Sequence, residues 1–265
     1  METVRSSDGT TIAFDRTGSG PPLVVIGGAM STRAAAVDLA SHLDRDLTVV
    51  AYDRRGRGDS TDTAPYAVER EIEDLEALIG VVGGSAFAYG HSSGAVLGLR
   101  AAEAGLAIAR LALYEPPFMI DDTRELPPSD YNERLEAMVA AGRPGDAVEY
   151  FMRVAVQVPA EALAQMRGSP MWPALEAVAH TIPYDGRIMG DTVRGRPGSL
   201  RRWASVTTRT LVIDGGASPA WLHNGAAAIA GTLPKAERRT LDGQDHGPAS
   251  AVLAPVLVAF FATGG

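Results

Sequence analysis

The 265-residue chain contains no cysteine. That absence excludes disulfides, thiolate metal ligands and a cysteine nucleophile. Long apolar runs are missing as well. The most apolar tract, residues 249–263, contains Pro255 and falls short of the ~20 residues that a bilayer span requires. It is expected to form a final helix packed on the core, and no membrane is expected as a partner. The first residues, METVRSSDGTTIAFDRTGSG, lack the apolar segment of a signal peptide, so a cytoplasmic location is the expectation. Basic blocks are absent too. With 24 Lys and Arg scattered against 32 Asp and Glu, the net charge is −8, which disfavours tracking a phosphate backbone; nucleic acid is not expected as a partner. There is no H-E-x-x-H, no P-loop and no G-x-G-x-x-G opening a helix after the first strand. Neither a metal nor a nucleotide cofactor is therefore expected, and the expected partner is a small-molecule substrate.

What is present is a rhythm. The opening residues alternate around Asp8-Gly9, and TTIAFDRT then stops at Gly18-Ser19-Gly20-Pro21-Pro22, the pattern of a hairpin. LVVIGG is a short apolar run ending in glycines, as a strand buried on both faces requires. The helical pattern AAAVDLASHL follows, then the strand LTVVAY, the helix EREIEDLEALIGVV, the strand SAFAYG and an alanine-rich helix from about Ser93. IARLALYEPP, TRTLVIDGG and AERRTLDG read as three further strands. This alternation predicts a mostly parallel sheet with helices on both faces. The rhythm breaks between Pro116 and about Arg201 into helical segments such as DYNERLEAMVAAG and GDAVEYFMRVAV. The expected organisation is a core of residues 1–118 and 201–265 carrying a helical lid at 119–200. Most apolar residues of the lid should pack its own helices. Met30, His91, Phe118, Met119, Trp172, Met189 and Pro248 are the candidate pocket residues, and flexible methionines there suit an apolar substrate.

The chemistry centres on YGHSSGAV. Gly90-x-Ser92-x-Gly94 suits a sharp strand-to-helix turn that exposes the serine oxygen. A serine hydroxyl is a poor nucleophile unless a base removes its proton as it attacks, and a histidine suits that role. An attacked carbonyl develops an oxyanion, which needs preorganised donors. The N–H of Ser93 is one candidate, because amides at a helix start are unpaired and sit at the positive end of the dipole.

Four features together resemble the α/β-hydrolase family: the Gly27-Gly28 turn after LVVI, the DRRGRGDS segment at 53–60, the GHSSG elbow, and His246 just before the last helix. The likeness spans nearly the whole chain except the lid. It implies an α/β-hydrolase fold with Ser92 as nucleophile, His246 as base and Ala29 as the second oxyanion donor. Where family members usually carry His-Gly before that donor, this chain has Gly27-Gly28. The usual acid position, a few residues past LVI, corresponds here to Ser218. Some branches, many haloalkane dehalogenases among them, place the acid at the end of the strand that follows the nucleophile helix, which here is Glu115. Asp214, ending the next strand, is the alternative. Asp53, Arg54, Arg55 and Asp59 read as a structural turn, with Arg57 available to pair with a carboxylate. The resemblance implies a cofactor-free serine hydrolase of esters, thioesters or lactones. It also admits carbon-carbon cleavage, cyclisation, haloperoxidase-like chemistry, or a small-molecule receptor.

Overall fold

The computed structural model describes residues 1–262, the side chain of Pro197 excepted. Among these, eight strands form one sheet: β1 (Glu2–Arg5), β2 (Thr11–Thr17), β3 (Pro22–Ile26), β4 (Thr48–Tyr52), β5 (Ala86–His91), β6 (Ile108–Tyr114), β7 (Arg209–Gly215) and β8 (Ala236–Leu241). Their spatial order is β1, β2, β4, β3, β5, β6, β7, β8. The β1–β2 hairpin and the β2–β4 pair are antiparallel, and every other pair is parallel. The expected mostly parallel sheet is present.

The apolar runs are continuous because both faces of the sheet are covered. Successive side chains point to opposite faces. Val24, Ile26 and Val50 therefore enter one apolar cluster, while Leu23, Val25 and Val49 enter another. The first cluster is completed by α2 (Val68–Val81), α3 (Ser93–Glu103) and α9 (Ala220–Thr232). The second is completed by α1 (Val37–Leu43) and α10 (Ser250–Ala262). Thr263, which the sequence placed at the end of that last helix, lies outside the described residues.

Between β6 and β7 the described chain contains no strand. It forms α4 (Tyr131–Ala140), α5 (Pro144–Phe151), α6 (Ala160–Arg167), α7 (Trp172–Ala177) and α8 (Ile182–Met189), with short turns between them. Tyr131, Leu135, Val148, Leu163, Trp172 and Ile182 give this helical insertion its own apolar cluster. Ile188, Met189, Leu200 and Trp203 instead join the cluster on the sheet face. Among the described residues, no helix is long and apolar enough to cross a membrane.

Candidate active site

The parallel strands β3, β5, β6, β7 and β8 all end at one edge of the sheet, where an open α/β sheet presents its loops to a ligand. At the end of β5 the chain turns into α3 through Ser92, whose φ of 55° and ψ of −125° are strained for a residue with a side chain. The flanking glycines make this turn possible. A Cβ on Gly90 would lie 2.5 Å from the Ala95 Cα, and one on Gly94 would lie 2.2 Å from the Ile26 carbonyl oxygen. The turn is pinned by the Ser92 N–H, which donates to the Tyr114 carbonyl at 2.9 Å.

One strand further along, Glu115 follows β6 with φ at 44° and is fully buried. Its Oε1 accepts from the Gly215 N–H at 2.7 Å, and its Oε2 lies 2.7 Å from His246 Nδ1. A carboxylate only accepts, so Nδ1 carries the hydrogen of the neutral ring and Nε2 is left as the basic nitrogen. Burial alone would raise the Glu115 carboxyl. The hydrogen bond from His246, the neighbouring Ser218 hydroxyl and the Gly215 N–H outweigh that effect and hold it below the usual carboxylate range. The His246 loop is itself tied down: the Tyr114 hydroxyl donates to the Asp245 carbonyl, and His91 Nε2 donates to the His246 carbonyl at 2.7 Å.

Two cavities meet at this point. One, of about 570 Å³, lies between the sheet edge and the helical insertion; the other, of about 440 Å³, runs behind the loop after β3. Ala29, Ser92, Phe151, Val156 and His246 line both.

A model described as the alpha/beta hydrolase family matches residues 23–259. The chain belongs to the alpha/beta hydrolase family. An alpha/beta hydrolase from Sphaerobacter thermophilus DSM 20745 is 56% identical, with a TM-score of 0.91 over 98% of this chain and 100% of that one. The uncharacterized hydrolase YraK of Bacillus subtilis (strain 168) is 35% identical over 95 residues, which are 34% of this chain and 35% of that protein. A thermophilic esterase from Thermogutta terrifontis shares the fold, with 21% identity and a TM-score of 0.70 over 98% of this chain and 96% of its own.

Not every residue marked in the sequence reaches the site of this hydrolase. Met119 and Met189 line the larger cavity, and His91 and Pro248 line the smaller. Phe118 does not line either; it is fully buried with its ring 5.3 Å from that of Trp203. Trp172 belongs to the insertion's own cluster, where its indole N–H donates to Glu176, and Met30 packs against the same cluster. Their apolar character reflects packing. Asp214, the alternative acid, is engaged elsewhere. It is fully buried and held by Arg238, His223 and Thr240, an arrangement that keeps its carboxyl ionised without reaching the site.

The DRRGRGDS turn is structural, as its glycines suggested. Asp53 accepts from the N–H groups of Arg33 and Asp59 at 2.7 and 2.9 Å, and Arg55 pairs with Asp74 through two bonds of 2.8 Å. Several cavity residues carried no sequence signal, including Arg124, whose guanidinium lies 4.5 Å from the Trp221 ring centre, and Asp185 on α8. They come from the insertion and from α9, whose docking no local pattern encodes.

Proposed function

We propose that this hydrolase cleaves an ester, thioester or lactone of a small apolar substrate through an acyl-Ser92 intermediate. The observation that carries the reading is the 2.7 Å contact between Glu115 and His246 Nδ1, made beside a strained Ser92 at the junction of two cavities. His246 Nε2 takes the Ser92 proton as Oγ bonds to the carbonyl carbon, and Glu115 holds the ring as its positive charge grows. The N–H groups of Ala29 and Ser93 receive the oxyanion. Collapse of that intermediate expels the leaving group, which takes the proton from His246. Water then attacks the acyl-enzyme with His246 again as base, and Ser92 is released. The two cavities supply room on either side of Oγ for the acyl and leaving portions. Met119, Ile182, Met189 and Leu222 give the larger one apolar walls. The likeness to an esterase agrees with this reading at the level of fold.

The test is intact-mass spectrometry after exposure to a small fluorophosphonate. The expected result is one adduct on wild type and none on Ser92→Ala, together with loss of ester turnover in Ser92→Ala and His246→Ala. Turnover that survives Ser92→Ala would replace acyl transfer with another reaction on the same fold.

A further inference from the structure

The helical insertion reaches into the catalytic loops through one side chain. Asp185, on α8, is buried, and both of its carboxylate oxygens are engaged. Oδ1 accepts from Arg54 Nη1 and from the Ser93 hydroxyl, each at 2.7 Å, and Oδ2 accepts from Arg57 Nη2 at 2.7 Å. Arg57 is fully buried, and its Nη1 donates to the Gly28 carbonyl at 2.7 Å. The Ser31 hydroxyl donates to that same oxygen, also at 2.7 Å.

The consequence follows from the geometry of a trans peptide, in which C=O and N–H point in opposite directions. Anchoring the Gly28 oxygen on Arg57 turns the Ala29 N–H the other way, and Ala29 lines both cavities. The loop also sits hard against the nucleophile, since a Cβ on Gly28 would lie 3.1 Å from the Ser92 Cβ. Asp185 thus holds one side of the oxyanion site through Arg57 and touches the other directly through Ser93. Among the ion pairs of the described residues, Asp185 is the carboxylate that meets Arg57, whereas Arg54 also has Glu71.

We propose that Asp185 is a positioning residue that couples the helical insertion to the oxyanion site, so that the site is complete when α8 is seated. The inference rests on the serine-hydrolase reading and goes beyond it. The insertion then does more than shape the substrate cavity: it sets the direction of the Ala29 N–H and the placement of Ser93. Loss of the contact should weaken stabilisation of the oxyanion while leaving substrate binding in place.

The experiment compares Asp185→Asn, Arg57→Lys, Ser93→Ala and Asp74→Asn by three measurements: Ser92 phosphonylation rate, steady-state kinetics on a short-chain p-nitrophenyl ester, and thermal stability. Asp74→Asn is the matched control, because it breaks an equally buried pair in the same turn, that with Arg55, which does not touch the oxyanion loop. Asp185→Asn and Arg57→Lys are expected to lower kcat and the phosphonylation rate by about 10- to 100-fold with KM within about threefold. Ser93→Ala, which keeps its backbone N–H, should lose several-fold. Asp74→Asn should lose stability and keep kcat. Equal kcat losses in Asp74→Asn and Asp185→Asn would reduce Asp185 to a structural role and overturn the proposal. If Asp185→Asn does not fold, unchanged kcat in both Arg57→Lys and Ser93→Ala overturns it. Failure of wild type itself to label at Ser92 would instead remove the serine-hydrolase reading, and the coupling with it.

Discussion

His246 and Glu115 are 131 positions apart in sequence, and their side chains meet at 2.7 Å. The carboxylate thus arrives from the end of β6, while the imidazole arrives from the loop after β8. Between them lies the end of β7, whose Gly215 N–H binds the other oxygen of Glu115. The carboxylate is therefore fixed at both oxygens, which sets the ring's tautomer and orientation.

Glu115→Gln tests that arrangement. The amide keeps an acceptor for Gly215 but presents N–H to Nδ1, which favours the tautomer with Nε2 protonated and unable to accept the Ser92 proton. We expect kcat to fall by about 10³- to 10⁴-fold with KM little changed. Steady-state kinetics on the ester checks this, and a loss below about tenfold would remove Glu115 from the mechanism.

Part of this site was readable in the sequence. Ser92 stood out because the elbow glycines are a local pattern set by backbone sterics, whereas His246 stood out through the family resemblance, which implies a base in the loop before the last helix. The central strands β3 to β7 were equally open to reading, since burial on both faces leaves short apolar runs. The choice between Glu115 and Asp214 was not local. Both end parallel strands, and only the register of β6, β7 and β8 decides which carboxylate meets His246 and which is neutralised by Arg238. The role of Asp185 was hidden for the same reason. PYDGR carries no pattern of its own, and its significance depends on how α8 docks against Arg54 and Arg57.

Asp214→Asn should separate the two acids. Asp214 is fully buried and shared by Arg238 and His223, so neutralising it removes charge-assisted bonds and leaves Arg238 without that carboxylate. Arg238 is partly exposed and can turn to water, which limits the cost to about 2 kcal/mol. Chemical denaturation should show that loss while kcat stays within about twofold. A kcat loss comparable with that of Glu115→Gln would contradict the assignment.

Ser218 offers a gain-of-function test. It is buried, follows β7, and its hydroxyl lies near enough to Glu115 to help lower the carboxyl's pKa. An acid placed there could serve the imidazole from the neighbouring strand end. In the Glu115→Gln background, Ser218→Asp is expected to recover kcat by at least about tenfold over Glu115→Gln alone. No recovery in a folded double variant would show that the Ser218 position cannot reach the imidazole.

His91 makes the last case, a ring whose surroundings disfavour its charged form. Burial, and then repulsion from His246 4.9 Å away between ring centres, push its pKa down to about 4 from 6.5. Its Nε2 must keep a hydrogen for the His246 carbonyl, so the neutral ring leaves Nδ1 bare beside Gly28. In the unfolded chain the ring takes up a proton as pH falls through about 6.5, whereas in the folded chain it stays neutral to about 4. The unfolded state then binds more protons, and stability falls with pH across that window. The shift, discounted for the ring's partial exposure, corresponds to about 2 kcal/mol. Denaturation of wild type and His91→Gln at several pH values isolates this contribution from that of the carboxylates common to both. The variant's stability should decline less steeply between about pH 6.5 and pH 4, and parallel curves would show that the folded ring titrates freely.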